Sequence, residues 1–158
     1  MTQQLEVSLT VQHPREEVFG FFADAGNLER LTPPELRFRI LTPQPITMFA
    51  GSLIDYRLQL FGVSFAWQTL ISRWEPPACF VDEQLRGPYR KWVHTHQFRE
   101  VAGGTEIIDQ VVYQLPLGPL GRLVRLPVAR RLQRIFSFRQ QVLQEIFAAG
   151  RRTDDGQS

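Results

Sequence analysis

Apolar and polar residues alternate near the start of the chain. Leu5, Val7, Leu9 and Val11 are separated by Glu6, Ser8 and Thr10, which predicts a strand buried on one face. His13-Pro14 ends it, and proline suits the first turn of a helix, where Glu16 and Glu17 also favour the positive end of the dipole. Val18, Phe19 and Phe22 then form a short helical stripe. Residues 24–30 read as a break followed by a second short helix, closed by Thr32-Pro33-Pro34.

From residue 36 to 115 the period changes to two. A short strand is expected over 38–41. Ile54, Tyr56, Leu58 and Leu60 alternate with Asp55, Arg57 and Gln59, and Gly62 allows a hairpin into Val63, Phe65, Trp67, Thr69 and Ile71. Pro76-Pro77 separates this strand from one over 80–86, whose register the pattern leaves open: Phe80 carries Asp82, Gln84 and Arg86 inward, whereas Cys79, Val81 and Leu85 favour the opposite face. Gly87-Pro88 turns into Tyr-Arg-Lys-Trp-Val-His-Thr-His-Gln-Phe, residues 89–98, the most informative segment of the chain. Side chains alternate along a strand, so Trp92, His94, His96 and Phe98 share one face, and Lys91, Thr95, Gln97 and Arg99 share the other with Val93. Two imidazoles among aromatic rings must be hydrogen-bonded or meet a ligand. Gly103-Gly104 makes a further hairpin, and Ile107, Asp109, Val111, Tyr113 and Leu115 form the more apolar face of the last strand.

After a loop rich in leucine, glycine and proline, the spacing becomes helical. Val128, Leu132, Ile135, Phe136, Val142, Leu143, Ile146 and Phe147 make a buried stripe, and Pro127 either breaks this helix or starts its main part. Arg139 falls inside the stripe. An arginine on a core face needs a counter-charge, and Asp109 is the first candidate, with His94 or His96 adjoining.

This order of one strand, two short helices, six hairpin strands and a long helix carries several distinctive phrases. They are His13-Pro14-Arg15-Glu16-Glu17-Val18-Phe19, Asn27-Leu28-Glu29-Arg30-Leu31-Thr32-Pro33-Pro34, Trp74-Glu75-Pro76-Pro77, Gly87-Pro88-Tyr89 and Trp92-Val93-His94-Thr95-His96-Gln97-Phe98, with the stretch 109–118. In these the chain resembles the START-like, or SRPBCC, superfamily of polyketide cyclase/dehydrase and birch-pollen-allergen-like proteins, over about residues 5–147, and in particular a bacterial ligand-binding subgroup. The resemblance implies an α+β helix-grip fold: a curved antiparallel sheet of about seven strands wrapped around the C-terminal helix, with a cavity between them for an apolar ligand. It does not imply one reaction. On this frame the expected cavity residues are Tyr56, Phe65, Trp67, Trp92, His94, His96, Phe98, Asp109, Val111, Tyr113, Phe136 and Arg139.

Composition narrows the rest. At 158 residues and 43% hydrophobic the chain suits one domain, expected over 1–150 with a disordered tail over 151–158. A lone cysteine, Cys79, excludes an intrachain disulfide and lacks an activating context; no secretory pattern opens the sequence, so cytoplasm is the default compartment. The net charge of +2 hides an asymmetry: residues 117–152 hold eight arginines against Glu145, while residues 1–116 are net acidic at −3. Peripheral contact of 117–136 with an anionic membrane follows as an expectation, weakened because the fold already requires this helix's apolar face. Whether Leu117, Leu120 and Leu123 stay exposed beside the arginines decides it. Nucleic acid is not expected, since no stacking aromatics interleave the basic stretch.

No cofactor or metal is expected. His94 and His96 with Asp109 or Asp82 could share an ion, but the sequence supplies no compelling third ligand. The leading expectation is a carrier of a small hydrophobic molecule such as a lipid, isoprenoid or polyketide. A cyclase- or dehydratase-like enzyme using His and Asp comes second, and an accessory partner of a nucleotide-sugar epimerase-like protein third. No dinucleotide fingerprint supports an epimerase itself.

Overall fold

The structure, a computed structural model, describes residues 1–154, with the side chains of 1–149. Strand β1 spans Thr2–Val11, followed by helices α1 (Arg15–Ala23) and α2 (Asn27–Arg30). Then come β2 (Arg39–Ile40), β3 (Leu53–Leu60), β4 (Val63–Glu75), β5 (Cys79–Arg86), β6 (Lys91–Val101) and β7 (Gly104–Gln114). Helix α3 (Gly121–Asp154) ends the described chain. The expected tail over 151–158 meets this limit: helix is described through Asp154, and the remainder lies outside the described residues.

All seven strands form one antiparallel sheet in the order β1-β7-β6-β5-β4-β3-β2. The α1–α2 segment carries the chain from one sheet edge to the other. Long β4 bends the sheet: its pairing with β5 slips between Gln68 and Thr69 and again between Ile71 and Arg73. Such bulges increase local twist and curl a sheet around its concave face. At Gly104 any side chain would collide with the Val11 carbonyl oxygen, so glycine lets β7 begin tight against β1.

Helix α3 continues through Pro127, which resolves the choice between a break and a start. The turns before it are mostly exposed, and the buried stripe begins in earnest at Leu132. Strand β5 takes the register in which Phe80 and Asp82 face the interior, leaving Leu85 exposed. Two cores lie between sheet and helix. One packs Phe19, Phe22, Phe98, Ile107, Leu143 and Phe147 under α1. The other gathers Tyr56, Leu58, Trp67, Trp92, Val111, Leu132 and Phe136.

Candidate functional site

The second core is hollow. A cavity of about 180 Å³ lies between β3, β4 and β6 on one side and α3 on the other. Tyr56, Trp67, Trp92, His94, His96, Phe136 and Arg139 line it, with Leu58, Leu132 and Ile135. Strand alternation places the first five and the helical stripe most of the rest. The lining also includes Phe80 and Asp82 of β5, Tyr89, and Phe22, Leu28 and Leu31 from the α1–α2 segment. Sequence reasoning missed these. The inward register of β5 would have given the first two, but which loops close over a cavity is set by tertiary placement.

Five expected residues do not line this cavity. Phe65 pairs with Leu58, but β5 ends opposite Gln68, so this end of β4 runs past its neighbour and Phe65 is only half-buried. Phe98 lies in the solid core under α1, edge-on to Phe19. Val111 is completely covered in the cluster with Leu132 and Phe136. Tyr113 is buried and its hydroxyl donates to Gln3 Oε1 at 3.0 Å. Asp109 stands one layer back, touching the cavity only through the groups it binds. Alternation reports the inward face, not which inward residues the helix covers.

At the floor, residues from β5, β6, β7 and α3 meet in one buried network. His94 Nε2 is 2.8 Å from Asp109 Oδ1, and His96 Nε2 is 2.6 Å from Asp82 Oδ2. His96 Nδ1 lies 3.2 Å from Asp109 Oδ1, and Arg139 reaches the same oxygen at 3.4 Å, joining helix to sheet. The imidazoles lie 3.7 Å apart, and Phe80 stacks on His96 at 4.0 Å. Phe22 covers the Arg139 guanidinium at 5.1 Å.

Burial opposes charge on the two carboxyls and the two imidazoles, and the partners decide the outcome. Burial pushes the Asp109 carboxyl up, but Arg139 and both histidines outweigh it and hold it well below the usual carboxylate range. Burial pushes Asp82 up as well, and His94, His96 and Arg139 lower it on balance. His94 is pushed down by burial and by neighbouring His96. His96 is raised despite burial, because it bonds both Asp109 and Asp82. These directions keep both carboxylates charged and His94 uncharged at neutral pH, and they favour the proton on His96, with which the network balances to neutral beside Arg139. Arg139 Nη2 lies 3.4 Å from both Asp109 Oδ1 and His96 Nδ1; with His96 protonated, Nδ1–H turns its charge to Asp109 and Arg139 pairs with Asp109 alone. Neutral His94 donates from Nε2 to Asp109 and keeps Nδ1 as a base, 3.6 Å from Asp82.

Of the two carboxylates the sequence offered beside the histidines, it is Asp82 that forms a metal-type donor set: its carboxylate and the two imidazoles offer atoms within 4.8 Å of one another. The donor set fits an ion pair better than a cation. Asp82 already accepts from His96, and the Arg139 charge stands beside the same pair. Cys79 is buried away from the lining, its thiol pushed up by burial, so it is no activated nucleophile. Two lining groups remain unsatisfied. Trp67 Nε1 and Arg139 Nε are shut off from solvent with no protein partner among the described residues.

A bent antiparallel sheet holding one long helix over an apolar cavity defines the helix-grip class of the START-like superfamily. The chain belongs to the polyketide cyclase / dehydrase and lipid transport family, whose model matches residues 11–137. The sequence matches none of the curated proteins. Among solved structures, a protein of Thermus thermophilus is similar with a TM-score of 0.75 at 17% identity, covering 94% of this chain and 99% of that one. The Zhui aromatase/cyclase of Streptomyces sp. R1128 gives 0.74 at 13% identity, covering 94% of each chain. A nucleoside-diphosphate sugar epimerase of Corynebacterium glutamicum gives 0.68 at 26% identity over 96% of this chain, which spans 30% of that protein.

Proposed function

We propose that this protein is a cytoplasmic carrier that binds one small, mostly apolar molecule in the cavity, with a polar acceptor on the ligand turned toward Trp67 and Arg139. The observation that carries this reading is the void itself between sheet and helix; Trp67 and Arg139 on its lining each also carry a buried N–H that has no partner among the described residues. Unsatisfied buried donors cost about 1–3 kcal/mol each, and a ligand carbonyl or carboxylate recovers that cost. The rest of the wall is largely hydrocarbon and aromatic, the usual composition of a small-molecule site. An engineered cavity of about 150 Å³ admits benzene, so about 180 Å³ suits a compact ring system or one end of a longer isoprenoid or polyketide.

The test is titration with 1-anilinonaphthalene-8-sulfonate, an apolar ring system with an anionic group, followed by tryptophan quenching. Saturable one-to-one binding, weakened several-fold by Trp67→Phe and Arg139→Met, is expected. Unchanged affinity in both variants would remove the proposed orientation, and absence of saturable quenching would remove the cavity as a binding site. Extraction and mass spectrometry of freshly purified protein would identify a resident molecule.

One observation favours a cyclase- or dehydratase-like alternative. Neutral His94 lines the cavity with Nε2 fixed by Asp109 and Nδ1 basic, the arrangement of a general base. Asp82 beside that nitrogen limits a substrate's access to it, which is why binding leads. The third reading, a domain working with an epimerase-like protein, draws on the likeness to part of the Corynebacterium glutamicum protein.

A further inference from the structure

The first two turns of α3 carry a second apolar face that the fold does not use. A helix advances about 100° per residue. On that spacing Leu123, Val124 and Leu126 spread over an arc of roughly 160°, on the side away from buried Leu132. All three are exposed, Leu123 at 78%, and Leu117 and Leu120 just before the helix are exposed as well. The helix's inward stripe and this outward one are therefore different faces, and the fold's demand for the first does not account for the second.

The hairpin tip between β3 and β4 reaches the same helix through Arg131. Leu60 pairs with Val63, leaving Phe61 and Gly62 as a two-residue turn with φ of 51° and 76°. Glycine and asparagine take that left-handed conformation cheaply, whereas phenylalanine is strained there. Phe61 is nevertheless exposed, and its ring lies 5.2 Å from the Arg131 guanidinium of α3. Among the described residues only Arg37, Phe61 and Leu117 are non-glycines with positive φ. Two of these three, Phe61 and Leu117, are exposed apolar residues. Leu60 lines the cavity from the hairpin, and Leu132 and Ile135 line it from the helix, so tip and helix form two sides of its lip.

Charge indicates what the lip meets. Arg122 and Arg125 are exposed around it, as is Arg130, and residues 117–144 contain no acid. We propose that the lip docks on a membrane surface containing anionic lipid. The leucines and Phe61 enter the acyl boundary, and the arginines sit at phosphate level. Apolar side chains on two convex elements, beside a helix stretch that carries arginines and no acid of its own, with Glu35 paired to Arg134 further along, suit a fluid anionic sheet better than a protein partner with fixed pockets. Among the described residues no helix is long and apolar enough to cross a membrane, and the contact proposed is a peripheral one. The inference is independent of what the cavity holds.

The experiment is co-sedimentation of the full chain with vesicles of phosphatidylcholine plus phosphatidylglycerol, against phosphatidylcholine alone. Binding is expected to the first, falling with added salt. Affinity should drop roughly tenfold per leucine in Leu120→Ser and Leu123→Ser, and several-fold in Arg122→Gln/Arg125→Gln, with unfolding midpoints unchanged because these side chains are exposed. Phe61→Asn should weaken vesicle binding while raising stability, a combination that loss of folding cannot mimic. No binding to anionic vesicles, or full binding by the leucine variants, overturns the proposal. So does a wild-type dimer that the leucine variants dissociate while vesicles bind nothing, which gives the face to a second copy. Dye titration of the same variants reads the cavity separately, so failure at the membrane is distinguishable from failure of the ligand reading.

Discussion

The two cores share one sheet and one helix yet are built differently. Under α1, Phe19, Phe98, Ile107, Leu143 and Phe147 fill the space with aromatic edges and aliphatic branches. Toward the start of α3, larger aromatic residues, Tyr56, Trp67, Trp92 and Phe136, stand around a void. The His94–His96–Asp109–Arg139 network lies at the junction of the two. Larger side chains thus make the emptier half, because indoles and phenols braced against each other hold walls apart. Tyr56 lies parallel to Trp67 at 5.8 Å, and Trp67 stands edge-on to Trp92 at 5.4 Å. A solid half anchors the grip, and a hollow half is left free for binding.

The sharpest way to break this contrast is a matched pair on one helix. Leu143→Ala in the solid half should cost about 4–5 kcal/mol, near the top of the range for buried leucines, whereas Leu132→Ala beside the existing void should cost about 2–3. Denaturant unfolding measures both, and equal losses would show the halves to be packed alike. Slightly smaller in total effect, Asp109→Asn should cost about 3–5 kcal/mol by leaving Arg139 and His96 without their shared anion. Combining it with Arg139→Met should cost less than the sum of the two, since they remove one interaction.

Acidity should read the junction next. The Asp82 and Asp109 carboxyls are lowered, so their stabilisation is present above the ordinary value of 3.8 and is lost as pH falls through their folded values. Raised His96 contributes fully below 6.5, and that contribution is lost as pH rises through its folded value. Lowered His94 has the opposite sign: charging it penalises the fold as pH drops below 6.5. Thermal midpoints should therefore fall on both sides of neutrality, and His94→Gln should flatten the first part of the acid arm. A smaller effect is expected from Trp67→Phe, which should lower dye affinity about fivefold, the worth of one hydrogen bond, with little loss of stability. Least of all, Phe65→Ala should cost under about 1 kcal/mol and leave dye binding unchanged, because Phe65 stands outside the lining.

Local periodicity was enough to read part of this molecule. Alternation gave the inward face of β6, with Trp92, His94, His96 and Phe98, and the three-four spacing of α3 put Arg139 among buried residues. A buried arginine needs an anion, so Asp109 on a strand of the same sheet was legible before any coordinates. Packing decided which inward residues meet the void. Leu132 and Phe136 of α3 pack in one cluster with Val111, and Tyr89 and Trp92 stand beside Tyr113, while Trp67 stays on the lining. Likewise, two opposed registers of β5 were locally equivalent until pairing with β6 set Phe80 against His96 and Asp82 against His94. The exposure of the leucines of early α3 was hidden for the same reason. A helical stripe in sequence shows that apolar residues share a face, and only packing shows whether the protein covers it.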